Sequence, residues 1–119
     1  GYFVRAGYPI LLQLSIGPGS PLKLTEHGEA LAKKCNAYGF VENNKKFLID
    51  LMRAENPTTN YDIQEYSKKV MKNLIKTPIV GQFKDYAFEN GLPIENLLDI
   101  VAIILRDEAM KELKLPENK

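Results

Sequence analysis

One cysteine, Cys35, and one histidine, His27, occur in the 119 residues of this chain. An intramolecular disulfide is excluded, and so is a transition-metal site assembled from the usual Cys and His ligands within one chain. Long apolar runs are missing as well. Ile10–Leu12, with Leu14 and Ile16 close behind, and Ile100–Leu105 are the longest, whereas a membrane-spanning helix needs roughly 20 apolar residues. Neither sign of charge dominates: sixteen Lys+Arg against fifteen Asp+Glu leave a formal net charge of +1. That balance disfavours a large nonspecific nucleic-acid surface and any strong pull toward acidic membranes. The N-terminal segment has no basic stretch, long apolar core and small-residue cleavage site in series, so a reducing cytoplasm is the expected location. The chain starts at Gly1 rather than Met, which suits a trimmed piece of a longer protein.

What is present is ordinary for one soluble domain: 45% hydrophobic and 26% charged residues, enough apolar content for a core and too much for a disordered chain. Helical signals fill residues 25 to 115. Thr25 followed by Glu26 and Glu29 suits a capped start, with Leu31, Ala32 and Cys35 at helical spacing and Gly39 placed to end the helix, so the first helix is expected from about Glu26 to Ala37. Cys35 reads as a small core residue. The second is expected over Val41 to Glu55, with an apolar stripe of Phe47, Leu48, Leu51 and Met52 and a stop at Asn56-Pro57. Thr58-Thr59-Asn60 caps the third, Tyr61 to Ile75, where Ile63, Tyr66, Ser67, Val70, Met71 and Leu74 make the cleanest periodic face in the chain. Thr77-Pro78 opens a shorter helix through Val80, Phe83 and Ala87 that Asn90-Gly91 ends.

The last helix runs from Pro93 to about Lys114, and between Leu97 and Leu105 only Asp99 carries a charge. A helix apolar around most of its circumference must be surrounded, by the other helices or by a second copy of the chain. Residues 1 to 20 differ in character: Tyr2-Phe3-Val4 and Ile10 to Ile16 are β-prone or apolar, punctuated by Gly7, Pro9 and Gly17-Pro18-Gly19-Ser20. They predict at best one hairpin, lying across the bundle or pairing with a neighbouring chain. The tetrapeptide Gly17-Pro18-Gly19-Ser20 also resembles the scar that protease-cleavable expression vectors leave. The expected fold is mostly α, a compact bundle of about five helices (20–115) with an extended or hairpin N-terminal arm (1–19) and a polar tail (116–119).

Catalytic and cofactor chemistry finds little support. His27 sits beside glutamates at a helix start, where an exposed residue is expected, and no cofactor or metal is anticipated. The glycines around Pro18 match neither phosphate-binding loop spacing. Asp107-Glu108 with Glu112, and Asp62 with Glu65, read as solvated faces, the latter pair also complementing a helix dipole. Lys33-Lys34, Lys45-Lys46 and Lys68-Lys69-Lys72 are interleaved with acids and read as polar surface. Arg106-Asp107 stands where the apolar run ends, either as the rim of the core or as a pair reaching another helix or an interface.

Two resemblances accompany these readings. Ser20-Pro21-Leu22-Lys23-Leu24-Thr25-Glu26-His27-Gly28 resembles the strand-to-helix junction after the wing of bacterial winged-helix regulators, where an L-T-x-x-G turn opens a C-terminal helix. Only nineteen residues precede Ser20, too few for a helix-turn-helix plus wing, so the resemblance implies at most a remnant of such a regulator. More broadly, the order Ser-Pro-Leu-x-Leu-Thr-Glu at 20–26, Asn-Pro-x-x-x-Tyr-Asp-Ile-Gln-Glu at 56–65, Glu-Asn-Gly at 89–91 and Leu-Arg-Asp at 105–107 is similar to small bacterial helical domains of no assigned function. The functional expectation is a non-enzymatic protein-interaction or self-assembly module, forming a homo-oligomer or binding a protein partner. Its candidate interface comprises Ile10, Leu11, Leu12, Leu14, Ile16, Leu97, Val101, Ile104, Arg106 and Asp107. The alternative is a fragment of a DNA-associated regulator.

Overall fold

Thr25 starts the helical part of the chain as its sequence predicts: the hydroxyl accepts a hydrogen bond from the Gly28 amide at 3.1 Å, and Glu26 and Glu29 lie over the positive end of helix α1, Glu26–Lys34. In this computed structural model, which describes residues 4–5, 8–9, 11–13 and 22–115, α1 ends earlier than expected. Asn36 takes the left-handed conformation (φ 58°), which Asn tolerates better than most side chains, and helix α2, Ala37–Asn43, sets off in a new direction. Gly39 does not end a helix. It lies inside α2, where a Cβ would stand 2.5 Å from the Asn36 Oδ1, so the glycine makes room for the turn's own side chain.

A second break, at Asn44, separates α2 from helix α3, Lys45–Ala54, and the Asn44 side-chain amide donates back to the Phe40 carbonyl at 2.8 Å. The stretch expected as one helix from Val41 to Glu55 is thus two. This break also sets the phase of α3: Leu48, Ile49 and Met52 are buried, Leu51 packs partly buried against the core, and Phe47 is 45% exposed, so the stripe expected through Phe47 is corrected to one through Ile49. Both stripes obey helical spacing, and only the angle of entry chooses between them. Helix α4, Asn60–Asn73, buries the predicted face, with Ile63, Ser67, Val70, Met71 and Leu74 all within the core and Tyr66 half-buried. Two short 3-10 turns, Leu74–Lys76 and Pro78–Val80, lead into α5, Gly81–Asn90, which ends at Gly91 with φ 63°. Helix α6, Ile94–Leu113, closes the described chain. Six α-helices result among the described residues, one more than the expected five, because Asn36 and Asn44 carve out α2.

Helix α6 is the axis of the bundle. It packs most extensively on α4 and also meets α1, α2, α3 and α5. Leu97, Ile100, Val101 and Leu105 are 0% exposed, and each such side chain contributes about 1.5–3 kcal/mol by leaving water. The cover that the apolar helix requires therefore comes from this chain. Phe40 of α2 and Phe83 of α5 meet within the core, their rings edge to face with centroids 4.9 Å apart.

The N-terminal region forms two ribbons rather than the single hairpin expected. Strand β1, Val4–Arg5, pairs antiparallel with β2, Tyr8–Pro9, and β3, Leu11–Gln13, pairs antiparallel with β4, Leu22–Leu24. β4 lies against α1 and α6, and β2 also lies against α1, so the N-terminal region meets the bundle through both ribbons.

Candidate functional site

A polar grip holds β4 in place. Arg106 of α6 is 8% exposed and Gln64 of α4 is 6% exposed, and the two converge on the main chain of Leu22. The Leu22 amide donates to the Gln64 Oε1 at 2.9 Å; the Arg106 Nη1 donates to that same oxygen at 2.7 Å and to the Leu22 carbonyl. The remaining guanidinium donors, Nε and Nη2, bond the Asp107 Oδ1 at 3.0 and 2.9 Å. A buried guanidinium costs several kcal/mol unless its donors and charge are met. Here the carboxylate meets the charge and the strand supplies an acceptor.

The grip also determines which strand edge is closed. In an antiparallel pair, successive residues turn their N–H and C=O alternately toward and away from the partner strand. Leu22, opposite Gln13, turns both groups to Gln64 and Arg106, so side chains stand where a third strand would pair. By the same alternation, Gln13 and Leu11 of β3 turn their main-chain groups outward, and among the described residues no strand pairs with that edge.

The candidate interface residues separate into three groups. Leu97 and Val101 at 0% and Ile104 at 7% exposure lie in the chain's own core, where a partner could not reach them without unpacking α6. Ile10, Leu14 and Ile16 fall outside the described residues, and Leu11 and Leu12 form part of β3. Arg106 and Asp107 are an adjacent pair on one helix, and Arg106 reaches across to α4 and β4. Other expectations fall into place: Cys35 is buried, its thiol pKa pushed up by desolvation, and His27 is exposed in the first turn of α1. Lys45 pairs with Glu108 and Glu112 at 3.3 and 3.5 Å, and Lys69 with Glu55 at 2.9 Å. Among the described residues no group of three or more His, Cys, Asp or Glu side chains could hold a metal ion, and no helix is long and apolar enough to cross a membrane.

No family model, curated protein or solved structure matches this chain. Its site must be read from its own geometry.

A second feature escaped the sequence reading. Between α4 and α6 lies a cleft of about 250 Å³, lined by Lys68, Met71, Lys72, Ile75, Glu95, Leu98 and Asp99. Burial pushes the Asp99 carboxyl up to about 6, with Glu95 adding to the rise and Lys68 and Lys72 opposing it. None of the ion pairs among the described residues involves these four charges. A signal for the cleft exists in the sequence: Lys68 and Lys72 are one helical turn apart, as are Glu95 and Asp99. Its meaning depends on α4 and α6 lying side by side.

Proposed function

We propose that this chain is a non-catalytic protein-interaction module, acting in a reducing cytoplasm and assembling with a second copy of itself through its N-terminal ribbon. The reading rests on one observation: Gln64 and Arg106 close the outer edge of β4, while the outer edge of β3 has no partner among the described residues. An open edge is a template for strand addition, in which main-chain hydrogen bonds supply affinity. Burial of α6 within the chain moves the interface away from Leu97, Val101 and Ile104 and onto the arm. Strands of three residues supply few such bonds, each contributing about 0.5–1.5 kcal/mol net, so the association is weak and concentration-dependent.

Light scattering across a roughly tenfold concentration range tests this reading. The expected result is a mass rising above 13.5 kDa toward twice that value, and a return to the monomer in Gln13→Pro, which removes an outward N–H while leaving the pairing of Leu12 with Lys23. A monomer at every concentration overturns self-assembly. Binding to duplex DNA that weakens as salt rises would favour the regulator reading instead.

A further inference from the structure

The α4–α6 cleft has three chemically distinct surfaces. Met71, Ile75 and Leu98 are apolar; Lys68 and Lys72 come from α4, and Glu95 and Asp99 from α6. On other faces of the protein Lys45 pairs with Glu108 and Lys69 with Glu55. Here two cations face two anions and no pair closes, so the cleft keeps its opposite charges apart over an apolar base.

A simple amine would meet Asp99 and Glu95 favourably but would be repelled by the two lysines. A simple carboxylate meets the reverse problem. Only a molecule carrying both charges close together satisfies both walls, and an apolar substituent is needed to cover Met71, Ile75 and Leu98. A volume of about 250 Å³ restricts the occupant to something small. We propose that the cleft binds a free α-amino acid with an apolar side chain, its ammonium group against Glu95 and Asp99 and its carboxylate against Lys68 and Lys72.

Protonation follows from the same geometry. The groups facing Asp99 are Lys68 and Lys72 of α4 and Glu95 of α6, while the 3-10 turn after α4 contributes the apolar Ile75. A bound ammonium group gives the desolvated carboxylate a counter-charge, so ligand binding lowers the Asp99 pKa and protonation of Asp99 weakens binding. One pH unit below a pKa of about 6, roughly a tenth of the carboxyl is ionised, which sets about a tenfold loss of affinity.

Amide NMR of the full chain titrated with L-leucine tests the proposal. The expected result is a set of shifts centred on residues 68–75 and 95–99, with a Kd of about 1 mM near neutral pH, as befits a small ligand in an open cleft. Affinity should fall about tenfold by about pH 5, and about tenfold in Asp99→Asn and in the double variant Lys68→Gln/Lys72→Gln. Isocaproate and isoamylamine, each lacking one of the two charges, should bind at least about tenfold more weakly. Asp99→Asn removes an unpaired, desolvated charge and keeps the fold, so its loss of binding is not a loss of structure. The absence of shifts at the cleft up to about 20 mM ligand, binding of either singly charged analogue as tight as that of leucine, or undiminished binding to Asp99→Asn overturns the proposal.

Discussion

Replacing Arg106 by Met tests whether the polar grip on β4 stabilises the fold or merely tolerates a buried charge. The substitution keeps an apolar stem of similar reach and deletes every donor. The Leu22 carbonyl loses the bond from the Arg106 Nη1, and Gln64 Oε1 keeps the Leu22 amide but loses the 2.7 Å bond that orients it. Leaving a buried acceptor unmet costs about 1–3 kcal/mol. Removing the desolvated guanidinium offsets part of that cost, so the net loss is about 2 kcal/mol. For a chain of 119 residues, that lowers Tm by roughly 8 °C. Urea unfolding should show a lower midpoint at unchanged slope, and hydrogen exchange should quicken at the Leu22 amide before the amides of α4 and α6. Arg106→Lys should recover little, because one guanidinium here serves Asp107, Gln64 and Leu22 from three nitrogens, which an ammonium group cannot span. If Arg106→Met is as stable as the parent and the Leu22 amide exchanges no faster, the grip contributes nothing and the reasoning fails.

Three further outcomes follow from the same structure. The Asp99 carboxyl is raised from 3.8 to about 6 by burial, so the native state holds the proton more tightly than the unfolded chain. Stability from this group is fully present below pH 3.8 and is lost as pH rises toward and through about 6; Asp99→Asn should therefore gain about 1 kcal/mol at neutral pH, the discount reflecting the group's partial exposure, and a melting series from acid to neutral pH reads the sign. Gly91 has φ 63° and open space for 4 Å around the place a Cβ would take, so Gly91→Ala costs about 1 kcal/mol from backbone strain alone, whereas Gly81→Ala, with the same space and an ordinary helical φ, gains about 0.5 kcal/mol; equal effects in denaturant titrations would contradict this. Ile104→Lys separates a core position from an interface position: at 7% exposure a lysine there is buried and unpaired, costing several kcal/mol, so circular dichroism should show unfolding where a true interface residue would give a folded monomer.

The helical part of the fold was legible wherever local chemistry decides it. Thr25 and Thr59 cap the helices they precede, Gly91 ends α5, and the periodic face of α4 is its buried face. Legibility failed where two local solutions were equally good. Asn36 and Gly39 both suit a left-handed helix end, and Asn36 takes it because Gly39 is needed to accommodate the Asn36 side chain. The phase of α3 likewise depends on the break at Asn44, which carries no periodic signal. The sites were less legible than the fold. Arg106 stood out for its place at the end of an apolar run, but Gln64 and Leu22, 42 and 84 positions away, have no local mark, and Lys68, Lys72, Glu95 and Asp99 acquire meaning only once two helices are juxtaposed.

The grip and the cleft are two stations on one seam. Gln64 meets Arg106, while Lys68 to Ile75 line the cleft with Glu95 to Asp99, so position rises along α4 as it falls along α6 and the helices run antiparallel. Asp99 and Arg106 are seven positions apart, which places the two sites about 10 Å apart along α6 at about 1.5 Å per residue. Between them lie Ser67, Ala102 and Ile103, all buried, and the Ser67 hydroxyl donates to the Ile63 carbonyl at 2.7 Å. At that separation, energetic effects are expected to add. The double variant Arg106→Met/Asp99→Asn should therefore have the stability given by summing the two single changes, within about 0.5 kcal/mol. A coupling larger than about 1 kcal/mol would show that the seam transmits between cleft and strand, and that the state of Asp99 reaches the edge of the ribbon.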